Sequence, residues 1–155
     1  MESRDMENQK TNQKPSFMYQ QAAAIPFLYE KDKLYIVLVT NKKKTKWTLP
    51  KGIIEYNSTA CETAVNEAFE EAGVEGVVYP YPIGSFHYKK WGGTLNVQVF
   101  PLFVTHLMRV WDEMSDRKRK KIALTKAVHI VKPEQKDILK AFAAMDIRKL
   151  FVPKP

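Results

Sequence analysis

Residues 52–74 read GIIEYNSTACETAVNEAFEEAGV: a glycine turn, a capping sequence, a helix bearing four carboxylates, and a second glycine. Thr59 followed three residues later by Glu62 is a capping box, in which each side chain satisfies an orphan backbone donor of the other's residue. Gly73 predicts the stop, because the position after a helix often needs a left-handed backbone that glycine adopts without strain. Within the helix Glu67, Glu70 and Glu71 stand at i, i+3 and i+4, which stacks three anions on one face. They lie toward the C-terminal end, where the helix dipole disfavours negative charge.

Positions 59–74 contain no lysine or arginine to offset them. A divalent cation is the economical remedy, and ligands that are all hard oxygens suit Mg²⁺ or Mn²⁺. A solvated acidic helix face is the plain alternative, since this spacing by itself is common.

The flanking residues favour the metal. The stretch resembles the signature of the Nudix (MutT-like) hydrolases, G-x5-E-x7-R-E-U-x-E-E-x-G-U with U aliphatic. Gly52, Glu67, Ala68, Glu70, Glu71, Gly73 and Val74 fall on signature positions. Ser58 stands where the family carries its first glutamate, and Asn66 where it carries arginine. That glutamate and arginine commonly form an ion pair between loop and helix, so the two departures read as one substituted brace in which neutral groups that can still hydrogen-bond replace both charges. The resemblance implies metal ligation by Glu67, Glu70 and Glu71 and by the backbone carbonyl of Lys51. It implies catalytic roles for Glu67 and Glu70, the latter as ligand or base, with Asp112, Glu113 and Asp116 as alternative sources of the base.

Upstream, LPKG leads into this stretch, and the Lys51 side chain is placed to neutralise substrate phosphate. Glu55 lies in the intervening loop, as an accessory or an exposed residue. QQAAAIPFLYE and KLYIVLVTNK read as two strands joined at Glu30 to Lys33, the second apolar enough to be interior. A lysine run, Lys42 to Lys44 and Lys46, precedes a short strand over WTLPKG. Residues 1–16 are polar apart from two methionines and are expected to be a disordered tail, with one domain over 17–155.

Downstream, VEGVVYPYPIGSFHYKK and GGTLNVQVFPLFVTHLM are β-rich and separated by a hairpin signal at Trp91-Gly92-Gly93. Leu95, Val97 and Val99 alternate with Asn96, Gln98 and Phe100, as in a half-buried strand. Lys89 and Lys90, at the hairpin tip, are candidate substrate-binding residues, and His87 and Tyr88 lie beside them. WDEMSDRKRKKIALTKAVHIV gives an acidic turn, five basic residues from Arg117 to Lys121, a strand and a brief helix. This order loosely resembles the diphosphoinositol polyphosphate and dinucleoside polyphosphate branch of the family. Pro133 opens a last helix whose apolar stripe is Ile138, Leu139, Phe142 and Ala143.

The implied architecture is the α/β Nudix fold, a mixed β-sheet sandwiched between helices. The implied activity is Mg²⁺-dependent (or Mn²⁺-dependent) hydrolysis of a phosphoanhydride in a nucleoside diphosphate derivative or related polyphosphate. Two alternatives stay open: a catalytically weakened ligand-binding module, suggested by Ser58 and Asn66, and an RNA 5′-end pyrophosphohydrolase, suggested by the basic run. The formal charge of +8 over 155 residues fits an anionic partner without choosing one. No apolar run reaches the roughly 20 residues that span a bilayer, and no secretory layout opens the sequence, so the expected setting is cytoplasmic, without a membrane partner. Cys61, the single cysteine, reads as a packing residue.

Overall fold

The computed structural model describes residues 13–151. Most of the tail expected over 1–16 lies outside them; residues 13–15 have no regular structure, and Ser16–Tyr19 forms a short 3-10 helix. Eight strands follow: β1 (Gln20–Glu30), β2 (Lys33–Thr40), β3 (Trp47–Thr48), β4 (Lys51–Ile53), β5 (Val74–Val78), β6 (Gly84–Lys90), β7 (Gly93–Leu107) and β8 (Arg119–Ala123). Four α-helices accompany them: α1 (Ala60–Ala72), α2 (Leu124–Ile130), α3 (Lys136–Ala144) and α4 (Ile147–Leu150). A 3-10 turn begun by Pro133 runs into α3.

One mixed sheet holds all the strands. β1 runs parallel to β7 from Gln20↔Asn96 to Phe27↔Phe103. Its other edge pairs antiparallel with β4 at residues 21–23 and with β2 at 27–30. β2 is interior, flanked by β1, β3 and β8. Both hairpins turn in two residues with positive φ throughout, at Lys31-Asp32 (50° and 65°) and Trp91-Gly92 (53° and 69°), the pattern of turns whose twist matches the strands. The strand expected over WTLPKG is two strands, because Leu49 and Pro50 break the ladder between β3 and β4.

The two faces are covered differently. On one, Ala22 and Ala24 of β1 meet Ala64, Ala68 and Ala72 of α1, with Cys61 at the margin. Alanines at i, i+4 and i+8 form one stripe, and their small size lets α1 sit close against the sheet. On the other, Ile25, Phe27, Ile36 and Leu38 pack under Leu124, Ile138, Leu139 and Phe142. Two expectations change here. Ala143 is exposed, and Ile147 of α4 completes the C-terminal stripe. Phe100 is buried with Leu102 and Val104 on the α1 side, so β7 alternates up to Val99, is buried on both faces through Leu102, and alternates again at Phe103, Val104 and Thr105.

Candidate functional site

Helix α1 is fixed at both ends. Thr59 Oγ1 accepts from Glu62 N–H at 3.1 Å; no bond from the Glu62 side chain returns among the described residues, so only half of the expected reciprocal cap forms. At the other end Gly73 takes φ 61° and ψ 39°, and its N–H bonds back to Ala68 and Phe69 carbonyls. A Cβ at Gly73 would also come within 2.9 Å of the Trp111 ring.

That contact belongs to a larger device invisible in the local sequence. The last carbonyls of a helix lack intrahelical donors, and the segment 108–119 supplies them. Glu113 N–H donates to Glu70 O (3.1 Å) and Met108 N–H to Gly73 O (2.8 Å). Trp111 Nε1 donates to Glu71 O (3.0 Å) and Arg119 Nη1 to Ala72 O (2.9 Å). Arg119 also binds Met108 O and stacks 4.0 Å over Trp111. The acidic turn is thereby held against the C-terminal end of α1.

The docked segment brings Glu113 to Glu67 and Glu71. One carboxylate oxygen from each of the three lies within 4.8 Å of the others. Glu70 is not in this group: it is exposed, on a hollow of about 400 Å³ shared with Ile53, Glu55, Ser58, Thr63, Asn66 and Glu67. Asp112 and Asp116 are exposed too. Gly52 permits the approach of Glu67, for a Cβ there would fall 2.2 Å from Glu67 Oε1. Ser58 and Asn66 face the same hollow, yet no side-chain hydrogen bond joins them among the described residues.

The charge of the cluster is partly met by Arg117. Its Nε lies 3.0 Å from Glu113 Oε1 and its Nη2 3.5 Å from Glu71 Oε1. Three carboxylates against one guanidinium leave a formal charge of −2 when all are ionised, which matches a divalent cation. Burial pushes the Glu71 carboxyl up to about 9, with Arg117 opposing and Glu67 reinforcing the shift. Glu67 is raised as well, chiefly by burial, although its hydrogen bond with Glu71 opposes that. Both shifts oppose full ionisation of the cluster while no cation is bound. An oxygen-only donor set held at short range, one member reluctant to ionise alone, fits Mg²⁺ or Mn²⁺.

Lys51 lies beside the cluster. In β4 the ladder bonds run through residues of even number, from Ala24 N–H to Pro50 O and from Ile54 N–H to Gln20 O. The amide and carbonyl of Lys51 thus lie on the edge away from β1, where the amide donates to Glu71 Oε2 at 3.3 Å. Its ammonium donates to Tyr88 OH (2.8 Å) and Gln21 Oε1 (3.3 Å), and Tyr88 OH donates to Gln21. Burial lowers the Lys51 pKa, partly opposed by Glu71.

These groups line a cleft of about 530 Å³ formed by Asn41, Lys42, Lys43, Thr48, Lys51, Glu71, Lys90, Arg117 and Lys132. Lys90 is in it; Lys89 points to the other face of β6, and His87 is exposed outside it. Lys132 was not singled out from the sequence, and burial beside Lys51 lowers its pKa. Of the basic run, Arg117 and Arg119 are half-buried, whereas Lys118, Lys120 and Lys121 are exposed.

The chain is thus an α/β/α sandwich that carries a carboxylate cluster near the end of one helix, beside a cationic cleft. A family model described as the NUDIX domain matches residues 18–140, and the chain belongs to the Nudix family. It is 31% identical over 130 residues to the protein named Nudix hydrolase 21, chloroplastic, of Arabidopsis thaliana, covering 79% of this chain and 65% of that one. It is 26% identical over 126 residues to diphosphoinositol polyphosphate phosphohydrolase 3-alpha of Mus musculus, covering 80% and 76%. The fold matches the C. elegans Ap4A hydrolase binary complex with a TM-score of 0.65 at 19% identity, over 81% of this chain and 95% of that one. The chain spans less than two thirds of the length of the first Arabidopsis relatives it matches.

Proposed function

We propose that this chain is a pyrophosphohydrolase dependent on Mg²⁺ or Mn²⁺, cleaving a phosphoanhydride bond in a small, densely phosphorylated substrate. One observation carries the reading: five lysines (Lys42, Lys43, Lys51, Lys90 and Lys132) line a cleft that ends on Arg117 and a cluster of carboxylates, and no aromatic ring is among the lining residues. Such a lining recognises phosphates rather than a nucleobase. It favours a diphosphoinositol polyphosphate over the nucleoside diphosphate derivative expected from the sequence.

In this reading Glu67, Glu71 and Glu113 hold the cation, with the Lys51 carbonyl on the same edge. A bound divalent ion polarises the phosphoryl oxygens and lowers the pKa of water. Lys51, fixed by Tyr88 and Gln21, and Lys90 and Lys132 receive phosphate oxygens. Glu67 and Glu70 share the hollow beside α1, and one of them takes the proton of the attacking water. Lys89 has no part in the cleft.

The binding-module reading draws on the unbonded pair Ser58 and Asn66. The RNA 5′-end reading draws on the groove of about 530 Å³ lined by Lys44, Trp47, Trp111, Met114 and residues 117–120. Arg119 stacks over Trp111, so a face of that ring which a base would use is already occupied. No helix among the described residues is long and apolar enough to cross a membrane. A cytoplasmic setting is part of the proposal, supported by the single cysteine and checked by cell fractionation.

The test is phosphate release from diphosphoinositol polyphosphates, dinucleoside polyphosphates and nucleoside diphosphate sugars, with Mg²⁺ and with EDTA. Turnover in Mg²⁺ alone, greatest on the most highly phosphorylated substrates, is expected. Binding of these compounds without any product would establish the binding module instead.

A further inference from the structure

The first residue of the basic run is occupied in a way that phosphate recognition does not explain. All three nitrogens of Arg117 are engaged within the protein: Nη1 with Thr40 O at 3.0 Å, Nε with Glu113 and Nη2 with Glu71. Its side chain is 14% exposed. The backbone beneath it is tied to β2, since Lys118 N–H donates to Thr40 Oγ1 and Thr40 N–H to Lys118 O, both at 3.0 Å. The guanidinium is therefore held at a fixed point from which it touches two of the three clustered carboxylates. Meanwhile position 66, on the helix itself, holds a neutral asparagine.

We propose that Arg117 is a positioning residue, the resident counter-cation of Glu71 and Glu113: it holds both carboxylates in place before a divalent cation arrives, and it then competes with that cation for them. The inference rests on reading the cluster as a metal site. It has two consequences of opposite sign. Without the guanidinium the formal charge of the ionised cluster goes from −2 to −3, so the carboxylates repel one another more in the metal-free protein. The same change removes a like charge from the neighbourhood of an incoming cation, which then binds more tightly. An arginine that only braced the fold would, when lost, weaken both stability and metal binding. One that served only as a phosphate ligand would alter neither in the absence of substrate.

The experiment uses Arg117→Met and Arg117→Lys in the full chain, without substrate. Thermal melting is recorded in EDTA and at saturating Mn²⁺, and Mn²⁺ affinity is measured by calorimetry. Arg117→Met is expected to melt several degrees lower in EDTA, to bind Mn²⁺ about tenfold more tightly, and to regain most of the lost melting temperature when saturated. Arg117→Lys, which keeps the charge but loses the planar fork, should fall between it and the wild type in both respects. Mn²⁺ affinity in Arg117→Met at or below that of the wild type overturns the proposal. Should that variant fail to fold in EDTA, weaker Mn²⁺ binding by Arg117→Lys than by the wild type does so. A wild-type chain that binds no Mn²⁺ overturns the metal-site reading itself, which is a distinct result.

Discussion

The two halves of the site around helix α1 are held to different standards. In the half beside the cleft Glu71 is 3% exposed, an arginine touches it, and the last carbonyls of the helix are satisfied by the segment 108–119. In the half beside the hollow Asn66 and Ser58 have no bond between them, and Glu70 lies open to solvent. Precise geometry is spent where a cation would be held, and the brace that the Nudix signature places at one side of the acidic face has a counterpart here on the other. Substitutions in the tight half should therefore be costly, and those at Ser58 and Asn66 in the loose half cheap.

Glu71→Gln tests the tight half most severely. Turnover in Mg²⁺ should fall by more than the roughly 10–100-fold typical of losing a residue that merely supports a metal ligand, with the fold retained, because glutamine keeps the shape of a carboxyl whose ionisation burial already opposes. Circular dichroism together with steady-state rates checks this. Gly52→Ala should come next: its Cβ would occupy the place of the Glu67 carboxylate, so a loss of about 1–3 kcal/mol in chemical denaturation should accompany weaker metal binding.

Metal-free stability should also depend on pH through Glu71. Its folded pKa, about 9, lies above the ordinary carboxyl value of 4.5, so between those values the folded state retains a proton that the unfolded state has released. Stability contributed by this group therefore falls as pH rises from about 5 to 9. Melting curves in EDTA should show that decline, Glu71→Gln should flatten it, and an unchanged slope in the variant would assign the decline to other groups.

A smaller effect separates the lysines of the hairpin tip. Lys90→Ala should raise KM several-fold at low ionic strength, and added salt should shrink the difference by screening; Lys89→Ala should leave KM unchanged. The least effect is expected in the loose half. In a double-mutant cycle of Ser58→Glu and Asn66→Arg the pair should couple by about 0.2–1 kcal/mol, as exposed ion pairs do. A coupling of several kcal/mol would mean that this half is as tightly built as the other.

Much of this contrast was written locally and much was not. The bounds of α1 were legible because a threonine cap and a left-handed glycine act within a few residues of themselves. Gly52 and Glu67 were legible as positions of one motif, whereas their close approach came only from the structure. The alanines at 64, 68 and 72 have a helical period, but it took the structure to show them as the face that meets the sheet. The membership of Glu113 and the position of Arg117 were not legible, because both depend on hydrogen bonds between the segment 108–119 and the end of α1 some forty residues earlier. From sequence alone Glu70 looks equivalent to Glu67 and Glu71; only the docked loop shows that the third nearby carboxylate comes from elsewhere. Likewise, Lys89 and Lys90 differ only once the pairing Lys90↔Gly93 fixes which face of β6 each one takes.

The most direct test compares Mn²⁺ binding, by calorimetric titration without substrate, in Glu113→Gln and Glu70→Gln. The structure predicts that Glu113→Gln weakens binding by about tenfold or more, since it removes one of the three carboxylates that lie within 4.8 Å of one another, while Glu70→Gln stays within about twofold of the wild type, as a change at an exposed charge does. The reverse ranking, with Glu70 essential and Glu113 dispensable, would contradict a cation site closed by the loop.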